Sequence, residues 1–347
     1  MLNFGSRFGL TGTRVALKHA KIGSNFYKAA TANSLTSRAL STNEKYNFIK
    51  KVEKSSLSHG QYDLEGGHSL TQYLSLYKFY NDNIGYVLLD PKTNSLILID
   101  AGHYKTSRDV IEELEETHEA KLRYIFTTHG HWDHVNGNEE WKENRPELEI
   151  ITGNYPDVDI PAATQRMNDL DTMTIGDLTF ACLNVPGHTI EHVAFVVTHV
   201  TETSTKIPFL FSGKFTFHII GDTLFVGGCG RIFTGTAEQL FYSLQKLINL
   251  PHDTLLFCGH EYTKANLKFA KYVDPDNSAI DMKMDQVDEV LSKGQFTVGS
   301  RLGEELMYNP FYKCVSTTEE NPFLDPVLQT QDPVKRFEKI RALKDNF

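Results

Sequence analysis

The first 43 residues contain no acid: Glu44 is the first carboxylate, after Arg7, Arg14, Lys18, Lys21, Lys28 and Arg38. Nowhere do 18 consecutive apolar residues occur, so no hydrophobic membrane-spanning helix is expected. Cysteine is scarce. Cys182, Cys229, Cys258 and Cys314 are scattered, with no Cys-x-x-Cys pair. That argues against a disulfide framework or a cysteine zinc site, and the four read as free thiols in a reducing compartment. Positive charge is short too. Beyond residue 43 the chain carries 29 Lys and Arg against 44 Asp and Glu, a formal charge of −15. A body that acidic is a poor general binder of nucleic acid. What remains, 40% hydrophobic and 23% charged over 347 residues, is ordinary for a globular chain large enough for two domains. Neither an internal repeat nor a low-complexity tract is present.

An acid-free start with dispersed Arg and abundant Ser has the composition of a mitochondrial transit peptide, and its apolar residues are too spread out for a secretory core. Arg38-Ala39-Leu40-Ser41 also resembles a matrix-peptidase site. We therefore expect residues 1–43 to be a transit peptide to the mitochondrial matrix, or a basic tail on a cytoplasmic protein. Residues 44–69 read as a linker or N-terminal extension.

From residue 70 strands dominate. Tyr73–Phe79 alternates, Asn83–Asp90 follows, a turn cluster occupies 90–94, and Ser95–Asp100 is a buried-strand run. Val110, Leu114 and Ala120 suggest a helix, and Leu122–Thr127 the next strand. Further strands are expected at Glu149–Thr152, Leu178–Val185, Val193–Thr198, Phe209–Phe211, His218–Ile220 and Leu255–Cys258. A helix follows Thr236 on Leu240, Leu244, Leu247 and Ile248. After Tyr262 the chain turns helical, with a core stripe at Ile280, Met284, Val287, Val290 and Leu291. A last helix starts on Asp332 as N-cap and Pro333 as first residue.

The strand Leu122–Thr127 delivers Thr127-Thr128-His129-Gly130-His131-Trp132-Asp133-His134. His129 and His131 are two apart and point the same way in extended backbone. Asp133 and His134 follow where a helix can begin. Four ligand types this close are costly to bury unless paired or metallated, so metal binding is the reading. Three more strand ends carry the same chemistry: His188 in Pro186-Gly187-His188-Thr189, Asp222 in Gly221-Asp222-Thr223, and His260 in Cys258-Gly259-His260-Glu261.

His-x-His-x-Asp-His resembles the signature of the metallo-β-lactamase superfamily. Within it, 221–231, 258–270, Tyr308-Asn309-Pro310-Phe311 and 341–347 are similar to the hydroxyacylglutathione hydrolases, the glyoxalase II family. The resemblance runs from about residue 70 to the end. It implies an α+β fold: a four-layer αββα sandwich over 70–263 with a helical, glutathione-binding C-terminal domain over 264–347. It assigns His129, His131 and His188 to one metal, Asp133, His134 and His260 to a second, and Asp222 to both. Two divalent ions are implied, zinc first, with iron or manganese compatible. The implied reaction is hydrolysis of S-D-lactoylglutathione to D-lactate and glutathione by a metal-held hydroxide, with Asp222 and Asp133 as catalytic carboxylates. The family match carries Arg231, Tyr262, Arg341 and Lys344 over as glutathione-binding residues, and Arg341 and Lys344, three apart, share a helix face.

Three departures accompany the match. Gly130 stands where many relatives carry His, Phe233 where some carry Tyr at a glutathione contact, and Ile190-Glu191-His192 lacks the small residue before that last His. The other histidines, including His103, His199, His218 and His252, read as structural, with His192 able to support a ligand. Residues 199–217 read as an inserted loop or hairpin. A small-molecule glutathione thioester as partner, no nucleic acid, no membrane and a monomeric state complete the expectations. The competing readings are a mononuclear iron dioxygenase acting on glutathione persulfide, which leaves the helical C-terminus unexplained, and a non-catalytic binder of glutathione conjugates.

Overall fold

A computed structural model describes residues 49–52, 59–64, 73–199, 216–316 and 332–347. The proposed transit peptide, the strand expected at Phe209–Phe211 and most of the 199–217 insertion lie outside the described residues. All described residues fall in one compact unit, 47–347.

Eight strands form the first sheet in chain order: β1 (Ile49–Val52), β2 (His59–Leu64), β3 (Tyr73–Phe79), β4 (Asn83–Asp90), β5 (Ser95–Ile99), β6 (Lys121–Phe126), β7 (Glu149–Gly153) and β8 (Gln165–Met167). The strands up to β5 pair antiparallel, and β5 through β8 pair parallel. Parallel neighbours need crossovers, supplied for β5–β6 by α1 (Tyr104–His118), for β6–β7 by α2 (Trp132–Val135) with α3 (Asn138–Asn144), and for β7–β8 by the connection 154–164. Residues 44–69, read from sequence as a linker or N-terminal extension, thus contribute two strands at one side of the sheet, with β1 at its edge.

The second sheet uses β9 (Thr172–Ile175), β10 (Leu178–Asn184), β11 (Val193–His199), β12 (Thr216–Gly221), β15 (Leu255–Cys258) and β16 (Ser300–Arg301), ordered β16-β15-β12-β11-β10-β9. A small hairpin, β13 (Leu224–Phe225) and β14 (Gly228–Cys229), follows β12, and α4 (Ala237–Ile248) leads to β15. The C-terminal helices are α5 (Thr263–Val273), α6 (Ser278–Ser292), α7 (Leu302–Tyr308), α8 (Pro310–Ser316) and α9 (Pro333–Asp345). None of the described helices is long and apolar enough to cross a membrane.

Alternation in β4 and β5 sorts the layers. Val87, Leu89, Leu96 and Leu98 pack outward with Val110, Ile111, Leu114 and Trp141 of α1 and α3. Tyr86, Leu88, Ile97 and Ile99 point inward to a core shared with the second sheet. There Phe126 of β6 stacks on Phe180 of β10 at 4.4 Å and meets Phe195 of β11 edge-on at 5.0 Å. The same core continues through Leu240 and Leu244 of α4 into Leu267, Phe311 and Phe337 of the C-terminal helices. Helices, sheet, sheet and helices stack in four layers, the α+β sandwich expected.

Helix ends follow their sequences. Thr236 and Gln239 form a reciprocal capping box on α4, and the Asp332 carboxylate accepts from the backbone amides of Val334 and Lys335 at the start of α9.

His218 of β12 is buried against the core, and burial drives its pKa from 6.5 down to about 3. The unfolded chain therefore takes a proton near pH 6.5 that the folded chain refuses, so stability is lost as pH falls from 6.5 toward 3. Each pH unit in that window costs about 1.4 kcal/mol from this group alone. Urea unfolding at pH 6.5 and pH 5 checks it: wild type loses about 2 kcal/mol more than His218→Leu on this account. Equal slopes for the two would remove His218 as the cause.

Candidate metal centre

β6 ends at Phe126, and Thr127–His131 runs extended into α2, whose first turn carries Asp133 and His134. The Nε2 of His129 and the Nδ1 of His131 lie 3.1 Å apart, and the Nε2 of His188 is 3.0 Å from the same Nδ1. In the second cluster, His134 Nε2 and His260 Nε2 are 3.3 Å apart, with Asp133 Oδ2 at 3.8 Å and 3.5 Å from them. Asp222, at the end of β12, reaches both. Its Oδ2 is 3.2 Å from His260 Nε2 and 3.6 Å from His188 Nε2, and its Oδ1 is 3.5 Å from His134 Nε2. All seven sequence candidates are thus brought together.

Ring orientation shows which nitrogens face inward. His188 Nδ1 donates to the Arg231 carbonyl at 2.7 Å. The Thr128 hydroxyl donates to Asp100 Oδ2, so it accepts from His129 Nδ1 at 3.0 Å. His134 Nδ1 lies 2.9 Å from Asp100 Oδ2, and His260 Nδ1 2.9 Å from Asp82 Oδ1. With their protons held outward, His129 and His188 turn lone pairs toward the same nitrogen of His131. One proton on His131 satisfies one neighbour and leaves the other facing a lone pair. The buried Asp222 Oδ1 also lacks a hydrogen-bond partner. Nitrogens about 2.0–2.1 Å from one tetrahedral ion sit about 3.3 Å from each other. The observed 3.0–3.3 Å spacings fit that cradle.

Charge is divided between the clusters. Burial, reinforced by the neighbouring histidines, lowers the pKa of His129 well below its ordinary value, and burial is the main cause lowering those of His131 and His188. Burial also opposes charge on His260. The Asp222 carboxylate, with Asp82 and Asp133, outweighs it and pushes the imidazole up to about 9. Burial would raise Asp222, but His260 and His134 hold it well below the usual carboxylate range.

Backbone geometry makes the arrangement possible. Asp100 adopts φ 55°, the left-handed region costly to most side chains. It stays there because Thr128 donates to it from both its amide and its hydroxyl, while His134 takes the remaining approach. Gly221, at φ 46°, lets β12 pass His192: a Cβ would lie 2.8 Å from that ring. His192 stacks on His129 at 4.5 Å and accepts from the Asp222 amide at 3.0 Å, so it supports two ligands. Gly130 donates its amide to Glu191 Oε1 at 3.0 Å.

The expected glutathione set divides. Phe233 is 58% exposed, with its ring edge-on to His131 and His188 at 4.9 and 5.2 Å. Tyr262 stacks flat on His260 at 4.7 Å. Arg231 has an exposed side chain, 3.8 Å from Asp345. Arg341, carried over as a glutathione-binding residue, has its guanidinium engaged within the protein. It is 6% exposed, and its guanidinium donates to the Cys229 carbonyl at 2.8 Å and to Asp345 Oδ1 at 3.0 Å. In this structure it braces the β13–β14 hairpin. Lys344 is half-buried, with Nζ 3.3 Å from the Ala265 carbonyl and over the Phe269 ring at 5.1 Å. Sequence reasoning missed Asp82, Asn83 and Asp100. Their only signal was a carboxylate or amide directly flanking an apolar strand: Asp82 and Asn83 at the start of β4, Asp100 at the end of β5.

Two family models match the chain: the metallo-β-lactamase superfamily over residues 83–260, and the hydroxyacylglutathione hydrolase C-terminus over residues 261–347. It is 37% identical over 267 residues to a hydroxyacylglutathione hydrolase of Trichodesmium erythraeum, spanning 77% of this chain and 96% of that one. A protein of the same name from Trichormus variabilis is 36% identical over the same shares. Among solved structures, a metallo-β-lactamase from Staphylococcus aureus superposes with a TM-score of 0.51 at 20% identity, covering 78% of this chain and 72% of that one.

Proposed function

This chain belongs to the hydroxyacylglutathione hydrolase family of the metallo-β-lactamase superfamily, and from that premise we propose how its residues carry out the reaction. It is a metal-dependent thiolester hydrolase, cleaving S-D-lactoylglutathione to D-lactate and glutathione. His129, His131 and His188 would hold one divalent ion, Asp133, His134 and His260 a second, and Asp222, within reach of both clusters, would serve either. Zinc suits a set this rich in imidazole, and iron or manganese suit the carboxylate-bearing half. Such a pair of ions supplies Lewis acidity to the thioester carbonyl and makes water a nucleophile at neutral pH.

The chain's own residues do the rest. His192 fixes the Asp222 backbone, and the Asn83 side chain donates to Asp133 Oδ2 at 2.8 Å. Phe233 lines the rim beside the first cluster and Tyr262 the rim beside the second. Exposed Arg231 is the cation available to a glutathione carboxylate, and its planar fork suits one. A thiolate leaves without a strong general acid, because its conjugate acid is far more acidic than an alcohol. Asp222 lying between two ligand clusters is the observation that carries this reading. The acid-free stretch 1–43 supports delivery to the mitochondrial matrix, which fractionation of cells expressing the full chain with and without it would check.

The test is an anaerobic assay of the purified full chain with S-D-lactoylglutathione, with metal counted on the same sample. Rapid thioester loss with two ions per chain is expected. Chelation abolishes turnover and zinc restores it. No turnover with both sites filled would remove the proposed substrate.

A further inference from the structure

The two ligand clusters are not backed alike. In the first, the outward nitrogens of His129 and His188 meet a hydroxyl and a backbone carbonyl, both neutral. In the second, those of His134 and His260 meet the carboxylates of Asp100 and Asp82. Asp100 is buried and shared with Thr128. Asp82 is different: it sits on the three-residue turn between β3 and β4, its side chain 39% exposed, 178 positions before the histidine it contacts.

That turn is tied directly to the segment bearing His260. The Glu261 amide donates to the Asp82 carbonyl at 2.9 Å, and the Ile84 amide to the Gly259 carbonyl at 2.8 Å. Asn83 and His260 form an isolated antiparallel bridge. With the backbone pinned, neighbouring side chains hold two ligands of one cluster, Asp82 taking His260 and Asn83 taking Asp133. The ring of Tyr262 lies flat on the same imidazole at 4.7 Å.

We propose that Asp82 is a positioning residue for the second metal half: its carboxylate orients His260 and strengthens its grip on the ion. This rests on the two-metal reading above. An imidazole donating to a carboxylate is a better donor at its other nitrogen, and loss of such a partner typically weakens metal binding 10–100-fold. The effect falls on one ion, because nothing in the first cluster touches the β3–β4 turn among the described hydrogen bonds.

The experiment titrates zinc into the metal-free full chain, wild type, Asp82→Ala and Asp82→Asn, against a chromophoric chelator. Cobalt-loaded samples are then read by NMR for the hyperfine-shifted ring N–H of His260. Wild type binding fewer than two ions would defeat the two-metal reading itself. With two ions in wild type, Asp82→Ala is expected to keep one at wild-type affinity and weaken the other at least about tenfold. Its His260 N–H signal shifts or is lost to exchange. Asp82→Asn, which still offers an oxygen acceptor, falls between, and keeps the test open if the alanine variant folds poorly. Both ions held at wild-type affinity in Asp82→Ala, or both weakened equally, would overturn the proposal.

Discussion

Replacing Asp222 with alanine cuts turnover of S-D-lactoylglutathione at least about a thousandfold, the scale of losing a group on which a whole catalytic unit depends. Bound metal falls below two ions per chain. The reason is geometric: Asp222 lies within 3.6 Å of nitrogens in both clusters. It is also the negative charge that His134 and His260 are built around. Asp222→Asn separates shape from charge, since it keeps the volume and loses the anion. Turnover within tenfold of wild type with two ions still bound would mean that the carboxylate is not shared.

Gly259→Ala is the second large effect, reached without touching a ligand. A Cβ there would stand 2.3 Å from Asp222 Oδ1 and 2.8 Å from His134 Cε1. Both obstacles are side-chain ends rather than backbone, so the chain folds and the ligands move instead. Displacements of about 1 Å at a reacting centre cost on the order of a hundredfold in rate. The expected result is therefore at least that loss, with metal content below two and a thermal midpoint changed by only a few degrees. A variant with full metal and wild-type turnover would show that Asp222 has slack at this point. Gly102→Ala is the contrast, because its Cβ would meet the Asp133 carbonyl at 1.8 Å, which only a backbone shift can relieve. It loses stability as well as activity.

The ligands were legible because each announces itself locally. His129, His131, Asp133 and His134 occupy one short segment, and His188, Asp222 and His260 each follow a strand beside a glycine. The strands were legible as alternation in Tyr73–Phe79 and as apolar runs bounded by turn residues, as in Ser95–Asp100. Supporting residues were not. Asp100 and Asp82 act across 34 and 178 positions, and only tertiary pairing shows that a carboxylate at a strand end faces an imidazole. β8 and β9 are three and four residues long with mixed exposure, too short for periodicity to register. The packing of Arg341 was hidden for another reason. Spacing gives a helix face, but not which face docks, and the face of α9 that bears Arg341 packs over Phe311.

The apolar core that runs unbroken from Phe126 between the sheets to Phe311 and Phe337 in the last helices also constrains inheritance. The two family regions meet at residues 260 and 261 but do not own separate interiors. Grafting a C-terminal region from a distant relative would have to match the inner surface of α4, at Leu240 and Leu244, as closely as the pocket it brings. Recombination at the seam that sequence comparison draws would therefore yield chimaeras that fail by mispacking before their chemistry is ever tested.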